Sequence, residues 1–140
     1  METATSIGER EAELHSDQVS TLEKSGLLEA TAARVADCVV RAFNAIGASP
    51  QTQEIVFWNI YVVKNVGRKE VIDKAAEFVE GVRGIYGEVG TVVFESMLKR
   101  ELRREFGPTN ELVNENAEER SVSDLVRLIR TAALKSANNP

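Results

Sequence analysis

The sequence predicts an all-α fold, an irregular bundle of about five to six helices, and three observations carry that prediction. Leu28, Ala32, Val35, Val39, Phe43 and Ile46 recur at steps of three and four, which lines one face of a helix. Ser49 and Pro50 stand before the apolar run IVFWNIYVV, a side-chain cap followed by a residue whose missing N–H costs nothing in a first turn. Phe94, Leu98, Leu102 and Phe106 recur at steps of four and stop at Gly107-Pro108.

Taken in order, residues 1–24 read as an N-terminal arm. Segment 9–24 carries helix formers but few apolar anchors (Ala12, Leu14, Val19, Leu22), so it reads as a marginal helix lying on something else. A core domain is expected over residues 25–107. Its first helix covers 27–46, between Gly26 and the stop signal Gly47. The run 55–63 is β-branched and aromatic and by composition alone would suit a strand. The Ser49-Pro50 entry and the four-turn length of 50–65 favour a helix, with Lys64 and Gly67 at its end. That helix is apolar nearly all round, which places it either at the centre of a core or in an oligomer interface. The alternative architecture, α+β, would make strands of 55–63 and 91–94.

Residues 68–80 set Val71, Ile72, Ala75, Phe78 and Val79 on one side, with Asp73, Lys74, Glu77 and Glu80 opposite, and predict a further helix. Gly81, Gly84, Gly87 and Gly90 follow at a spacing of three. A dinucleotide fingerprint needs two glycines one residue apart after a strand, and a Walker loop needs Gly-Lys-Ser/Thr, so neither phosphate-binding motif fits. Apolar positions 72, 75, 79, 82, 86, 89 and 93 keep helical phase through the glycines. The segment therefore reads as a hinge, either a kinked long helix or a helical hairpin. Residues 108–120 are polar, acidic and aperiodic, which predicts a linker. Residues 121–140 hold a C-terminal amphipathic helix with Val122, Val126, Ile129 and Ala133 on its stripe, capped by Ser121 or Ser123.

The functional reading proceeds mainly by exclusion. A net charge of -5 over 140 residues argues against a general nucleic-acid or anionic-membrane binder. The polar, acidic start does not resemble a secretory leader, and no apolar stretch approaches the length of a membrane span. With one cysteine, no intramolecular disulfide forms, and a cytoplasmic setting is expected. Cys38 lies among apolar residues beside Asp37, a setting for core packing rather than nucleophilic catalysis. The one histidine, His15, lacks partners for a triad or a metal site, and reads as a surface residue. Asp73, Glu77 and Glu80 share a helix face without histidine and read as solvated. The Gly-Ala-Ser-Pro stretch suggests a helix-turn-helix turn, but the residues after Gln53 are too apolar for a recognition helix. No cofactor, no metal and no enzymatic activity are expected.

What remains is interaction. Phe57, Trp58, Tyr61, Val126 and Ile129 are the expected interface residues, because aromatic side chains dominate interface hot spots and an amphipathic helix on a polar tether can dock. The chain reads as a non-enzymatic interaction or regulatory module that forms homo-oligomers and docks on a protein partner, with no membrane contact. The second reading is a small nucleic-acid-associated subunit using the basic patch Lys99, Arg100, Arg103 and Arg104. Pairing of that patch with Glu95, Glu101 and Glu105 on the same helix is the simpler account.

Overall fold

The computed structural model describes residues 26–107 and 120–138, whose regular elements are helices without strands. Among the described residues there are four helices and one 3-10 turn, fewer than the five to six expected. The segment 9–24 and most of the linker 108–120 lie outside the described residues.

Helix α1 occupies 26–45 and takes in Gly26 rather than starting after it. It stops where predicted: Gly47 adopts φ 85°, and the Ala48 N–H returns to the Phe43 carbonyl at 3.0 Å. Helix α2 is Pro50–Lys64, with the Ser49 side chain accepting from the Thr52 N–H at 3.2 Å. Its end differs from expectation. Asn65, not Gly67, takes the left-handed position (φ 57°, ψ 42°) and donates its N–H to the Tyr61 carbonyl at 2.9 Å.

The helix expected over 68–80 begins late. Arg68–Glu70 is a single 3-10 turn, residues 71–74 turn again, and α3 starts at Ala75. Glu70 Oε1 accepts from the Gly67 N–H at 3.0 Å, so the carboxylate closes the loop on itself. That bond, with Lys74 beside it, holds the Glu70 carboxyl below its ordinary range. Val71 and Ile72 are buried from this turn, so an apolar spacing compatible with a helix is satisfied without one.

Helix α3, Ala75–Phe106, is broken at Gly87 (φ 77°, ψ −177°), a conformation that essentially only glycine adopts. Phe78 and Phe94 would stand about 24 Å apart along a straight helix. Their ring centroids are 6.3 Å apart, so the two arms fold back on each other as a helical hairpin. Arg83 spans the corner from the first arm, pairing with Glu88 at 3.0 Å and Glu95 at 3.8 Å on the second.

Phe43 of α1 sits at the centre, with the rings of Phe57, Phe78, Tyr86 and Phe94 between 4.6 and 6.4 Å from it. Burial of each such side chain contributes about 1.5–3 kcal/mol. α1 runs antiparallel to the second arm of α3: Arg34 pairs with Glu105, Cys38 faces Glu101 and Phe43 meets Phe94. Helix α4, Val122–Asn138, starts with Ser121 Oγ accepting from the Asp124 N–H at 3.1 Å. It packs on α3, and Val122, Leu125, Val126 and Ile129 are buried in the common core. Arg130 donates to Asp73 at 2.8 Å and fixes the outer edge of that contact.

Candidate protein interaction surface

α2 lies at the edge of the bundle rather than at its centre. Its inner face is Gln53, Val56, Phe57 and Ile60, all buried. Gln53 is satisfied there, donating to Asn44 Oδ1 at 2.6 Å and the Ala48 carbonyl at 2.9 Å. Its outer face carries Ile55, Trp58, Tyr61 and Val62, with Val63 exposed on the flank towards α3, and Trp58 is 67% exposed. Of the two locations expected for this helix, the centre of a core or an oligomer interface, the core accounts for one face only.

Two of these exposed side chains touch each other. Trp58 and Tyr61 stack with centroids 6.0 Å apart. Next to them Arg68 lays its guanidinium 4.2 Å over the Phe57 ring and pairs with Glu54. Together these residues frame a shallow groove of about 260 Å³. On the opposite flank of α2, Asn59 and Val63 face Gly81 and Gly84 of α3 across a groove of about 500 Å³. A second apolar group stands at the hairpin corner, where Ile85, Val89, Val92 and Val93 are exposed, Val89 by 80%.

The four hinge glycines divide by role. Gly87 alone makes the corner. A Cβ on Gly81 would lie 2.8 Å from Ile60 Cγ1, so this glycine lets α3 close on α2. A Cβ on Gly90 would lie 2.8 Å from Tyr86 Cβ, across the corner. Nothing lies within 4 Å of the corresponding position at Gly84, which floors the wider groove.

Of the five expected interface residues, the structure leaves two outward. Trp58 and Tyr61 are exposed, whereas Phe57 belongs to the aromatic core. Val126 and Ile129 are spent within the chain, at 1% and 2% exposure, because α4 docks on its own bundle. Ile55, Val62, Val63 and the corner valines were not singled out from the sequence. The signal for the first three was the run IVFWNIYVV, interrupted only by Asn59, which is too apolar for one face to hide.

The four residues of the basic patch follow one another on the second arm of α3. Arg100 and Arg104 are exposed, Lys99 and Arg103 half-buried, and Arg104 pairs with the buried Glu101 at 3.4 Å. Cys38 is fully buried, its thiol 3.6 Å from the Glu101 carbonyl, and burial pushes its pKa up to about 12. His15 lies outside the described residues. Among the described residues no group of three or more His, Cys, Asp or Glu side chains is placed to hold a metal ion. Nor is any described helix long and apolar enough to cross a membrane.

The class of protein that these features define is an all-α helical bundle with an exposed apolar face on one edge helix. No family model, no curated protein and no solved structure matches the chain.

Proposed function

We propose that the chain is a non-enzymatic interaction module that self-associates and docks on protein partners through the outer face of α2. The observation that carries this reading is the exposure of Ile55, Trp58, Tyr61, Val62 and Val63 on one helix whose inner face already supplies the core. Isolated exposed apolar residues are normal, but a contiguous group of this size on a small domain marks an interaction site. Trp and Tyr at its middle are the residue types that dominate interface energetics. Their rings stack on each other, and a stack kept in the free chain lowers the entropy cost of binding. The regulatory role follows from the same surface: a module without catalytic chemistry acts through what it binds.

Solution mass by size-exclusion chromatography with light scattering tests the reading. The expected result is a species of twice the chain mass or more that persists at high salt, since the face is apolar. Trp58→Ser is expected to shift it towards monomer while the helical circular dichroism stays unchanged. A chain that is monomeric at high micromolar concentration, with or without the substitution, would overturn self-association.

A further inference from the structure

We infer that the apolar groove between α1 and α4 is the seat of this chain's own N-terminal arm, with Val19 and Leu22 as its anchors. The groove has a volume of about 190 Å³ and is lined by Leu27 of α1, Phe106 at the end of α3, and Ile129 and Ala133 of α4. Arg34 lines it too, its guanidinium 4.4 Å over the Phe106 ring. Apolar cavities of about 150 Å³ take up a benzene-sized group, so this one has room for aliphatic side chains. The inference concerns a surface other than the outer face of α2 and does not rest on the self-association reading.

The first support is connection. Leu27 lines the groove, is 41% exposed and stands in the first turn of α1, where the arm joins the bundle. Leu22 is five residues earlier, a reach of up to about 17 Å. The groove follows α1 for only about 10 Å, from Leu27 to Arg34. Val19 and Leu22 are three apart and share one face of the helix expected over 9–24. The linker 108–120 leaves from the same end, next to Phe106, but it has to arrive at Ser121, which stands beside Glu95. Glu95 is about 16 Å along α3 from Phe106, so the linker leads away from this groove.

The second support is charge. The arm, residues 1–24, holds six acids against two bases, a net -4. Residues 26–107 balance at zero, with 11 side chains of each sign. Residues 120–138, which hold α4, carry four bases against one acid, a net +3. The excess positive charge of the described residues thus lies along the helix that walls the groove, and the acidic arm is complementary to it. The attraction is a field over α4 rather than a set of pairs, since Arg130 is already bonded to Asp73. Residues 108–119 are equally acidic, and connection, not charge, sets them aside. α2 is neutral over Pro50–Lys64, so charge does not draw the arm there.

Thiol labelling of the full chain tests the seat. Ala133→Cys is made with and without Val19→Ser and Leu22→Ser, Cys38 staying in place because it is fully buried. Each chain is treated with a maleimide, and mass spectrometry of the digested protein reads the rate at residue 133. The expected result is labelling about tenfold faster once both anchors are serine, with unchanged helical circular dichroism. Thr131→Cys, exposed and outside the groove, is expected to label at one rate in both backgrounds.

Equal rates at residue 133 in the two backgrounds would overturn the inference. So would protection that grows with chain concentration, which would place a second copy in the groove. Equal acceleration at residue 131 would mean a loosened fold and would also overturn it. If Ala133→Cys does not fold, Ser136→Cys on the same groove gives the same comparison. None of these outcomes touches the α2 reading, which the solution mass decides.

Discussion

The rings of Phe78 and Phe94 lie 6.3 Å apart although sixteen residues separate them, and a single glycine makes that meeting possible. Gly87 holds φ 77° and ψ −177°, a backbone region closed to side chains. Thr91 reinforces the corner by donating its hydroxyl to the Gly87 carbonyl at 2.6 Å. Gly87→Ala is therefore expected to cost about 1–3 kcal/mol, although nothing stands within 4 Å of the added methyl. Urea denaturation monitored by circular dichroism measures it. An unchanged midpoint would mean that the corner tolerates a side chain.

Gly81 and Gly84 lie three residues apart on the same arm but should respond oppositely to alanine. At Gly81 the methyl would press on Ile60, itself fully buried, and overpacking of this kind costs about 1–3 kcal/mol. At Gly84 the site is open, so helix propensity alone acts and alanine is expected to stabilise by about 0.5–1 kcal/mol. The two thermal midpoints, compared with that of the unsubstituted chain, should straddle it.

Much of the fold was legible because local chemistry and tertiary packing agreed. Ser49 caps α2 and Gly47 ends α1 because those positions are decided within a few residues. The hairpin was harder to read. Val82, Tyr86, Val89 and Val93 keep helical phase through the glycines, yet the face buried beyond Gly87 is Thr91, Phe94, Leu98 and Leu102, and Val89 and Val93 are exposed. Two apolar stripes overlap in TVVF, and only the backbone reversal decides which one turns inward. The candidate surface was half legible for a related reason. The composition of α2 showed that it had more apolar faces than one core contact can cover. Which residues would remain outside depended on where α1 and α3 lay, and that is set by residues far away in sequence.

Cys38 offers a check on the core. Its thiol is pushed from 9.0 to about 12 chiefly by burial, while Arg41 pulls the other way. A folded pKa raised in this way means that the stabilising contribution is complete below about pH 9 and is lost as pH rises through about 12. The stability difference between the unsubstituted chain and Cys38→Ala should therefore narrow across that window. At pH 8 the folded chain should hold about a thousandfold less thiolate than an unfolded one. Labelling by a thiol reagent is then expected to proceed at the rate of opening, and prompt labelling of the native protein would contradict the burial.

α4 supplies the last prediction, because its covalent attachment and its packing suggest different things. A helix that follows a polar, acidic stretch reads as detachable. Val122, Leu125, Val126 and Ile129 are nonetheless buried together, and Arg130 is bonded to Asp73 of the turn before α3. Ile129 stands beside Phe106 and Leu27 at the end where α1 and the second arm of α3 meet, next to a cavity of about 190 Å³. Ile129→Ala should enlarge that cavity and cost about 2–5 kcal/mol. Removing residues 109–140 should strip cover from both arms of the hairpin and leave a chain that unfolds cooperatively only at much lower urea, or not at all. A truncated chain that retained the full midpoint would show α4 to be a docked arm rather than part of the core. Loss of stability in both variants, with Arg130→Ala costing less than about 1 kcal/mol as an exposed pair should, would place the stabilisation in the apolar stripe.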